Sequence, residues 1–136
     1  MITFDKVSKR YASGQDALAE LSFEIAAGEM VFVTGHSGAG KSTLLKLIGL
    51  VERPTRGHIV VNHTQLAGVR RRGIPQLRRN VGMVFQDHRL LTDRTVFDNI
   101  ALPLIIAGTS REEIGKRVRA ALDKVGLLDK EKSSPL

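Results

Sequence analysis

The fold is decided by one stretch in the first third of the chain, Met30-Val31-Phe32-Val33-Thr34-Gly35-His36-Ser37-Gly38-Ala39-Gly40-Lys41-Ser42-Thr43-Leu44-Leu45. Its four leading apolar residues are typical of a strand that is buried on both faces of a sheet. Residues 35–42 then match G-x-x-x-x-G-K-[ST] at every position, and leucines follow at helical spacing. An apolar strand, a glycine-rich loop and a helix in this order predict a phosphate-binding loop.

The residue types in this loop are the ones that phosphate binding requires. Its glycines permit backbone angles that side chains forbid, so the chain can wrap closely around an anion. The loop amides and the start of the helix offer N–H donors. Lys41 supplies a cation for the β- and γ-phosphates, the Ser42 hydroxyl ligates Mg²⁺, and Thr43 can donate on the α-phosphate side. The predicted nucleotide-binding residues are Gly35, His36, Ser37, Gly38, Ala39, Gly40, Lys41, Ser42 and Thr43.

Strands are predicted on both sides of this loop. Ile2, Phe4 and the nearby Val7 indicate a first strand. Leu21, Phe23 and Ile25 alternate with polar residues, which indicates a half-buried antiparallel strand, and a further strand is expected at residues 58–61. Residues 81–85, Val-Gly-Met-Val-Phe, form a second apolar run, which predicts another strand buried on both faces.

Helices are predicted in the remainder of the chain. Pro75 suits the first position of a short helix. Ser110, with Glu113 three residues on, has the form of a capping box. The apolar face expected for the helix that follows comprises Ile114, Val118, Ala121 and Val125, with Gly126 as its stop. The polar tail, residues 130–136, is expected to close no structure.

Composition excludes several classes of protein. The chain has 136 residues and no cysteine, which rules out a disulfide framework and a cysteine-ligated zinc site. The longest apolar run, residues 100–107, contains Pro103 and falls far short of the ~20 residues of a membrane helix. The N-terminus has no secretory signal pattern. We therefore expect a folded, soluble, intracellular chain.

The net charge of +7 is concentrated in residues 53–94, which carry nine basic and two acidic residues. Such a patch could attract the phosphates of nucleic acid, lipid or nucleotide, or be an ordinary solvated surface. No aromatic residue is interleaved with its arginines, which argues against a stacking platform for single strands. The patch consists mainly of Arg70, Arg71, Arg72, Arg78 and Arg79.

Residues 35–45 resemble the phosphate loop of the ATP-binding-cassette (ABC) ATPases. Tyr11 stands where that family has an aromatic residue stacking on adenine, and residues 81–87 resemble its Q-loop. The resemblance implies that Gln86, with Ser42, completes the Mg²⁺ shell, and that Gln86 senses a transmembrane partner. It also implies an α/β P-loop NTPase fold, in which this chain is the N-terminal part of an ABC nucleotide-binding domain. The antiparallel β subdomain and the P-loop core would occupy residues 1–86. The Q-loop and the start of a helical subdomain would occupy residues 87–136.

Within that family, residues 34–40, 85–91, 93–100, 102–108 and 125–130 resemble the FtsE branch, the cell-division ATPases that pair with the integral membrane protein FtsX. This resemblance implies ATP and Mg²⁺ as cofactors and a homodimer in the intact parent. It also implies a peripheral position on the cytoplasmic side of the inner membrane, and no nucleic-acid partner. Lipoprotein-release and macrolide-export ATPases share the loop and the Q-loop and are the alternative within the family.

Three elements of the family do not occur in these residues: the Leu-Ser-Gly-Gly signature, the Walker B strand that ends in Asp and Glu, and the switch histidine. No acidic pair follows an apolar run, so no residue is predicted to polarise a water. We therefore predict no catalytic residue in the chain, and ATP hydrolysis only in a longer parent. The alternatives from other classes are a basic nucleic-acid-binding module and a small nucleotide kinase. None of the four histidines, His36, His58, His63 and His88, lies where the switch should be.

Overall fold

The computed structural model describes all 136 residues, which form two compact units, Met1–Met83 and Val84–Leu136. The first unit contains β1 (Ile2–Arg10), β2 (Asp16–Ile25), α1 (Lys41–Ile48), β3 (Arg56–Val61), β4 (Thr64–Gln65) and α2 (Ile74–Arg79). The second contains α3 (Val96–Ile106) and α4 (Arg111–Lys124). Short 3₁₀ turns lie at Leu66–Gly68, Arg71–Gly73 and Leu128–Lys130.

The four strands form one antiparallel sheet in the order β2-β1-β3-β4. Phe4 in the central strand β1 lies opposite Phe23 of β2 and Ile59 of β3, and the two phenylalanine rings stack with centroids 4.6 Å apart. Phe4 and Val7 of β1 are both buried although they lie three residues apart, because the strand register shifts between them. The predicted antiparallel β part is confirmed, and β1 extends beyond its predicted end.

Helix α1 is fixed by the core of the first unit. Leu44, Leu47 and Ile48 are buried in one cluster with side chains of β1 and β3. Gly49 caps the helix as predicted, and the Arg78 guanidinium donates to the carbonyl oxygens of Gly49, at 3.2 Å, and Leu50, at 3.1 Å. The phosphate-loop helix is therefore held on its apolar side and at its C-terminus, which leaves its N-terminal turn at a fixed position.

In the second unit, α3 packs on α4 through a small apolar core. Ser110 caps α4 by accepting from the Glu113 amide at 3.4 Å, as predicted. The predicted capping box is only half formed, because the Glu113 carboxylate pairs with Arg117 at 2.6 Å. The predicted face is wrong at Ala121 and Val125, which are exposed. The buried residues are Ile114, Val118 and Leu122, so the covered face is rotated toward Leu122 from the predicted one. Val125 follows the last helical residue, Lys124, and is the C-cap. No helix combines the length and the hydrophobicity of a membrane span.

The tail was predicted to close no structure, and that prediction is wrong. The Val96 amide donates to the Ser133 carbonyl, and the Phe97 amide donates to the Glu131 carbonyl, both at 2.9 Å. Glu131 also forms an ion pair of 2.9 Å with Arg119, whose guanidinium lies over the Phe97 ring. The first amides of a helix have no intrahelical acceptor, and here the tail carbonyls satisfy those of α3.

The two runs predicted as strands buried on both faces, residues 30–33 and 81–85, are not strands in this structure. Met30 is 82% exposed, Phe32 80% and Val84 98%. A strand needs a hydrogen-bonded neighbour, and the only sheet in the chain does not include either run. The apolar side chains of residues 30–33 and Val84 therefore face solvent, whereas Val81 packs against the core of the first unit.

We expect this exposure to make the 136-residue chain self-associate or remain marginally stable. Each large apolar side chain left in water forfeits roughly 1.5–3 kcal/mol, against a typical total stability of ~5–15 kcal/mol. Light scattering over a concentration series should show association, which Met30→Ser combined with Phe32→Ser should reduce more than Leu136→Ser does. A monomer at all concentrations, with a cooperative melt above ~60 °C, would contradict this expectation.

Candidate nucleotide-binding site

The loop that precedes α1 has glycine at three positions of positive φ, Gly35 (149°), Gly38 (82°) and Gly40 (89°). A Cβ on Gly40 would overlap the Ala17 carbonyl oxygen and lie 2.9 Å from Leu18 Cδ2, so the loop passes β2 too closely for any side chain. Gly38 has open space where its Cβ would be. The packing of the protein itself therefore requires glycine at position 40.

The N-terminus of α1 is an open set of hydrogen-bond donors. Gly40 occupies the N-cap position, no side chain caps the helix, and no acidic residue lies in its first turn. The amides of residues 41–43 therefore have no protein acceptor. Free first-turn amides and the positive end of the helix dipole together favour an anion at this place.

Lys41 places its charge at the mouth of the same loop. Its ammonium donates to the carbonyl oxygens of Gly35 at 2.6 Å and His36 at 2.8 Å, so the side chain folds back across the loop. The His36 ring contacts the Ser37 carbonyl, with 2.7 Å between Nδ1 and the oxygen. A cation beside several free amides is the donor set that binds a polyphosphate.

Tyr11 and Thr43, singled out for different reasons in the sequence, meet in the structure. The Tyr11 hydroxyl lies 3.1 Å from Thr43 Oγ1, and Thr43 is buried. The Lys9 ammonium lies over the tyrosine ring, 5.1 Å from its centroid. The aromatic residue is thus connected directly to the first turn of α1, and its stacking on adenine stays a prediction.

Two residues that support Tyr11, Lys9 and Glu52, have no signal in the sequence. Lys9 forms an ion pair of 2.8 Å with Glu52 and donates to the Arg53 carbonyl at 2.9 Å. The hydrogen bond from Lys9 lowers the pKa of the Glu52 carboxyl below its ordinary value. Because these contacts join β1 to the segment after α1, no pattern of local spacing signals them. They fix Lys9 against the tyrosine ring.

The two predicted Mg²⁺ ligands lie in different units. Ser42 is exposed in the first turn of α1, and Gln86 is exposed in a turn of the second unit. No cluster of histidine and acidic residues could hold a metal by itself. Mg²⁺ commonly binds through one or two protein oxygens together with substrate phosphates and waters. Ser42 fits that role, and the pairing with Gln86 stays a prediction.

The segment after Gln86 is held by local contacts. The Arg89 guanidinium lies 4.1 Å from the centroid of the Phe85 ring and 3.3 Å from the Asp87 carboxylate. The Asn99 side chain accepts from the Leu91 amide at 2.8 Å and donates to the Leu91 carbonyl at 3.0 Å. These bonds fix the backbone of the segment, while Leu90 stays 48% exposed and Leu91 43% exposed.

Replacing Tyr11 by phenylalanine should weaken ATP binding a few-fold and lower stability by about 1 kcal/mol, because the buried Thr43 hydroxyl loses its partner. Calorimetric titration and thermal melting measure the two effects. The matched variant is Thr43→Val, and a double-mutant cycle isolates the bond. If the two residues act through their hydrogen bond, the double variant should lose clearly less stability and ATP affinity than the sum of the losses in the two single variants. Strictly additive losses would contradict this.

The chain is similar in sequence to known ATP-binding proteins over nearly its whole length. The cell division ATP-binding protein FtsE of Escherichia coli (strain K12) is 57% identical over 136 residues, which cover 100% of this chain and 61% of that protein. The Haemophilus influenzae FtsE is 51% identical over 131 residues, 96% of this chain and 60% of that protein. A methionine import ATP-binding protein, MetN of Aliivibrio fischeri, is 44% identical over 99% of this chain and 40% of that protein.

Solved structures show the same likeness. The dimeric bacterial ABC transporter cassette MJ0796 matches with a TM-score of 0.91 at 32% identity, over 99% of this chain and 62% of that one. The same cassette in a post-hydrolysis dimer with ADP and Pi matches with a TM-score of 0.90. The chain spans about three fifths of the FtsE proteins it matches. The family described as ABC transporter matches residues 18–135, and this chain therefore belongs to the ABC transporter family.

Proposed function

We propose that this chain is the ATP-binding part of an FtsE-type subunit, and that the intact protein hydrolyses ATP in a complex with the membrane protein FtsX during cell division. The observation that carries the proposal is the loop at residues 35–43, where free helix amides and the Lys41 ammonium converge. The similarity to FtsE over the whole chain supports a role of that site in cell division. The lipoprotein-release, macrolide-export and nucleic-acid-binding alternatives are not favoured by the relatives.

The residues present fit ATP. The amides of residues 41–43 and the Lys41 ammonium would hold the phosphates, and Tyr11 would stack on adenine. Ser42 would bind Mg²⁺, with Gln86 from the second unit completing its shell. ATP supplies the phosphoanhydride bond whose hydrolysis drives the intact complex. The chain's own residues bind and orient the nucleotide.

Hydrolysis is proposed for the intact protein because residues 1–136 hold no candidate general base. Positioning a phosphate without a polarised water leaves most of the barrier in place, so we expect no significant turnover by these residues alone. We propose that residues 1–86 act as the nucleotide-binding part and residues 87–136 as the part that meets the membrane partner. Homodimerisation of the intact subunit is supported by the dimeric cassettes to which the chain is similar.

The surface proposed for FtsX lies in residues 86–106. On α3, Leu102 is 39% exposed and Ile105 is 56% exposed, and Leu90 and Leu91 precede the helix on the chain. Leu104 instead packs against the α3–α4 core. Apolar side chains exposed in this number on one short segment are typical of an interaction site. Docking there would keep the subunit peripheral, at the cytoplasmic side of the inner membrane.

Reversing the charge of Asp93 or Arg94 should weaken co-purification of FtsX with the intact protein several-fold. These neighbours form a loose pair of 3.8 Å at the Q-loop end of the surface, and both side chains are well exposed. Asp93→Lys and Arg94→Glu are each compared with Asp123→Lys on exposed α4. Pull-down of FtsX with ATP present is the measurement. Equal recovery with all three variants would argue against this end of the surface.

A further inference from the structure

Residues 53–86 contain seven arginines and no acidic residue. Two of these arginines serve the protein's own structure. Arg78 donates to the end of α1, and Arg53 donates to the carbonyl oxygens of Val69 at 2.7 Å and Leu66 at 3.4 Å. Three others follow one another as Arg70, Arg71 and Arg72. These three consecutive charges have no such role in holding the fold.

The three side chains, here called the arginine turn, are exposed, and none of them has an acidic partner. They lie at the Arg71–Gly73 3₁₀ turn, which the Gly73 amide closes on the Arg70 carbonyl at 2.8 Å. The Arg53 guanidinium holds the preceding residue, Val69. Three unpaired cations are thus presented on a braced turn, so that little ordering is needed when they meet an anionic surface.

The local structure favours a lipid surface over nucleic acid. The turn has three residues and α2 has six, so neither forms the helix or ribbon that reads a major groove. No aromatic residue lies between Phe32 and Phe85 to stack on bases. An anionic phospholipid surface needs no such reader, because it attracts each exposed Arg by about 1 kcal/mol through charge alone.

We propose that the arginine turn docks the protein on the anionic phospholipid surface of the membrane. The inference rests on the proposed function in one respect, since that function puts the protein beside an integral membrane partner. The contact is electrostatic and uses the charge complementarity between the turn and the headgroup phosphates. The contact does not use the nucleotide loop, so an experiment can disprove lipid binding without disproving nucleotide binding, and the reverse.

The test is flotation of the intact protein, without its membrane partner, on vesicles of phosphatidylcholine with about 30% phosphatidylglycerol at about 50 mM salt. Each arginine near such a surface contributes about fivefold in binding, so Arg70→Gln, Arg71→Gln and Arg72→Gln together should reduce partitioning about hundredfold. The matched control removes the same charge from Arg111, Lys124 and Lys132, which are exposed and unpaired in the second unit. It should retain most binding.

Three further measurements test the proposal. Lysine at all three positions keeps the charge and should keep binding, which separates lost charge from a folding defect. Lys41→Ala should leave flotation unchanged, which separates failure here from failure of the nucleotide site. Salt at about 500 mM should abolish binding. Equal binding to neutral vesicles, equal loss in the matched control, or loss in the lysine variant would each overturn the proposal.

Discussion

Replacing Lys41 by alanine should weaken binding of ATP with Mg²⁺ to the intact protein by roughly 10- to 150-fold. The ammonium now lies across the loop mouth on the carbonyls of Gly35 and His36. A charge-assisted hydrogen bond to phosphate contributes ~1.5–3 kcal/mol, and water cannot replace a fixed cation there. Isothermal titration calorimetry measures the change directly.

Lys46→Ala is the matched control for this experiment. Lys46 lies in the last turn of the same helix, where it interacts with the helix dipole and not with the loop. Its loss should leave ATP affinity within about twofold and cost a few tenths of a kcal/mol in stability. Unchanged affinity in Lys41→Ala, or an equal loss in Lys46→Ala, would show that the loop is not the phosphate site.

Gly40→Ala should destabilise the nucleotide-free protein by about 2–4 kcal/mol and weaken ATP binding more than tenfold. The residue has a φ of 89°, which costs an L side chain ~1–2 kcal/mol. The added Cβ would also overlap the Ala17 carbonyl, so the loop and the first turn of α1 must move. Denaturant unfolding and calorimetry of the same preparation report the two effects.

Gly38→Ala separates the two causes. Its φ of 82° is nearly the same, but nothing lies within 4 Å of the Cβ position. Without nucleotide, Gly38→Ala should therefore lower the free energy of unfolding only by the cost of a left-handed backbone, ~1–2 kcal/mol. If Gly38→Ala and Gly40→Ala destabilised the protein equally, the close passage of the loop past β2 would have no energetic consequence.

The elements that sequence predicts well are those whose signals are local. The loop motif, the helix after it and its stop at Gly49 all follow from residue types within fifteen positions of one another. The antiparallel strands follow from their period of two. The Ser110 cap is likewise a local pattern. Such features form from neighbours in sequence, so the sequence alone specifies them.

The features that sequence misses depend on distant partners. Met30 to Val33 has the composition of a buried strand but no neighbouring strand in these residues, so it stays exposed. The tail is one such feature, because its carbonyls cap a helix more than thirty residues earlier in the chain. The connection of Tyr11 to Thr43, and of Lys9 to Glu52, joins residues that only the tertiary fold brings together. Composition and periodicity carry no information on such pairs.

The central claim is that residues 35–43 bind the phosphates of ATP, and amide NMR tests it most directly. The intact protein, labelled with ¹⁵N, is titrated with ATP and Mg²⁺ and its amide shifts are followed residue by residue. The account predicts that the largest changes fall on residues 35–43, with a smaller change at Tyr11 and little at residues 70–72. Changes centred on the arginine turn, or none in the loop at saturating ATP, would contradict it.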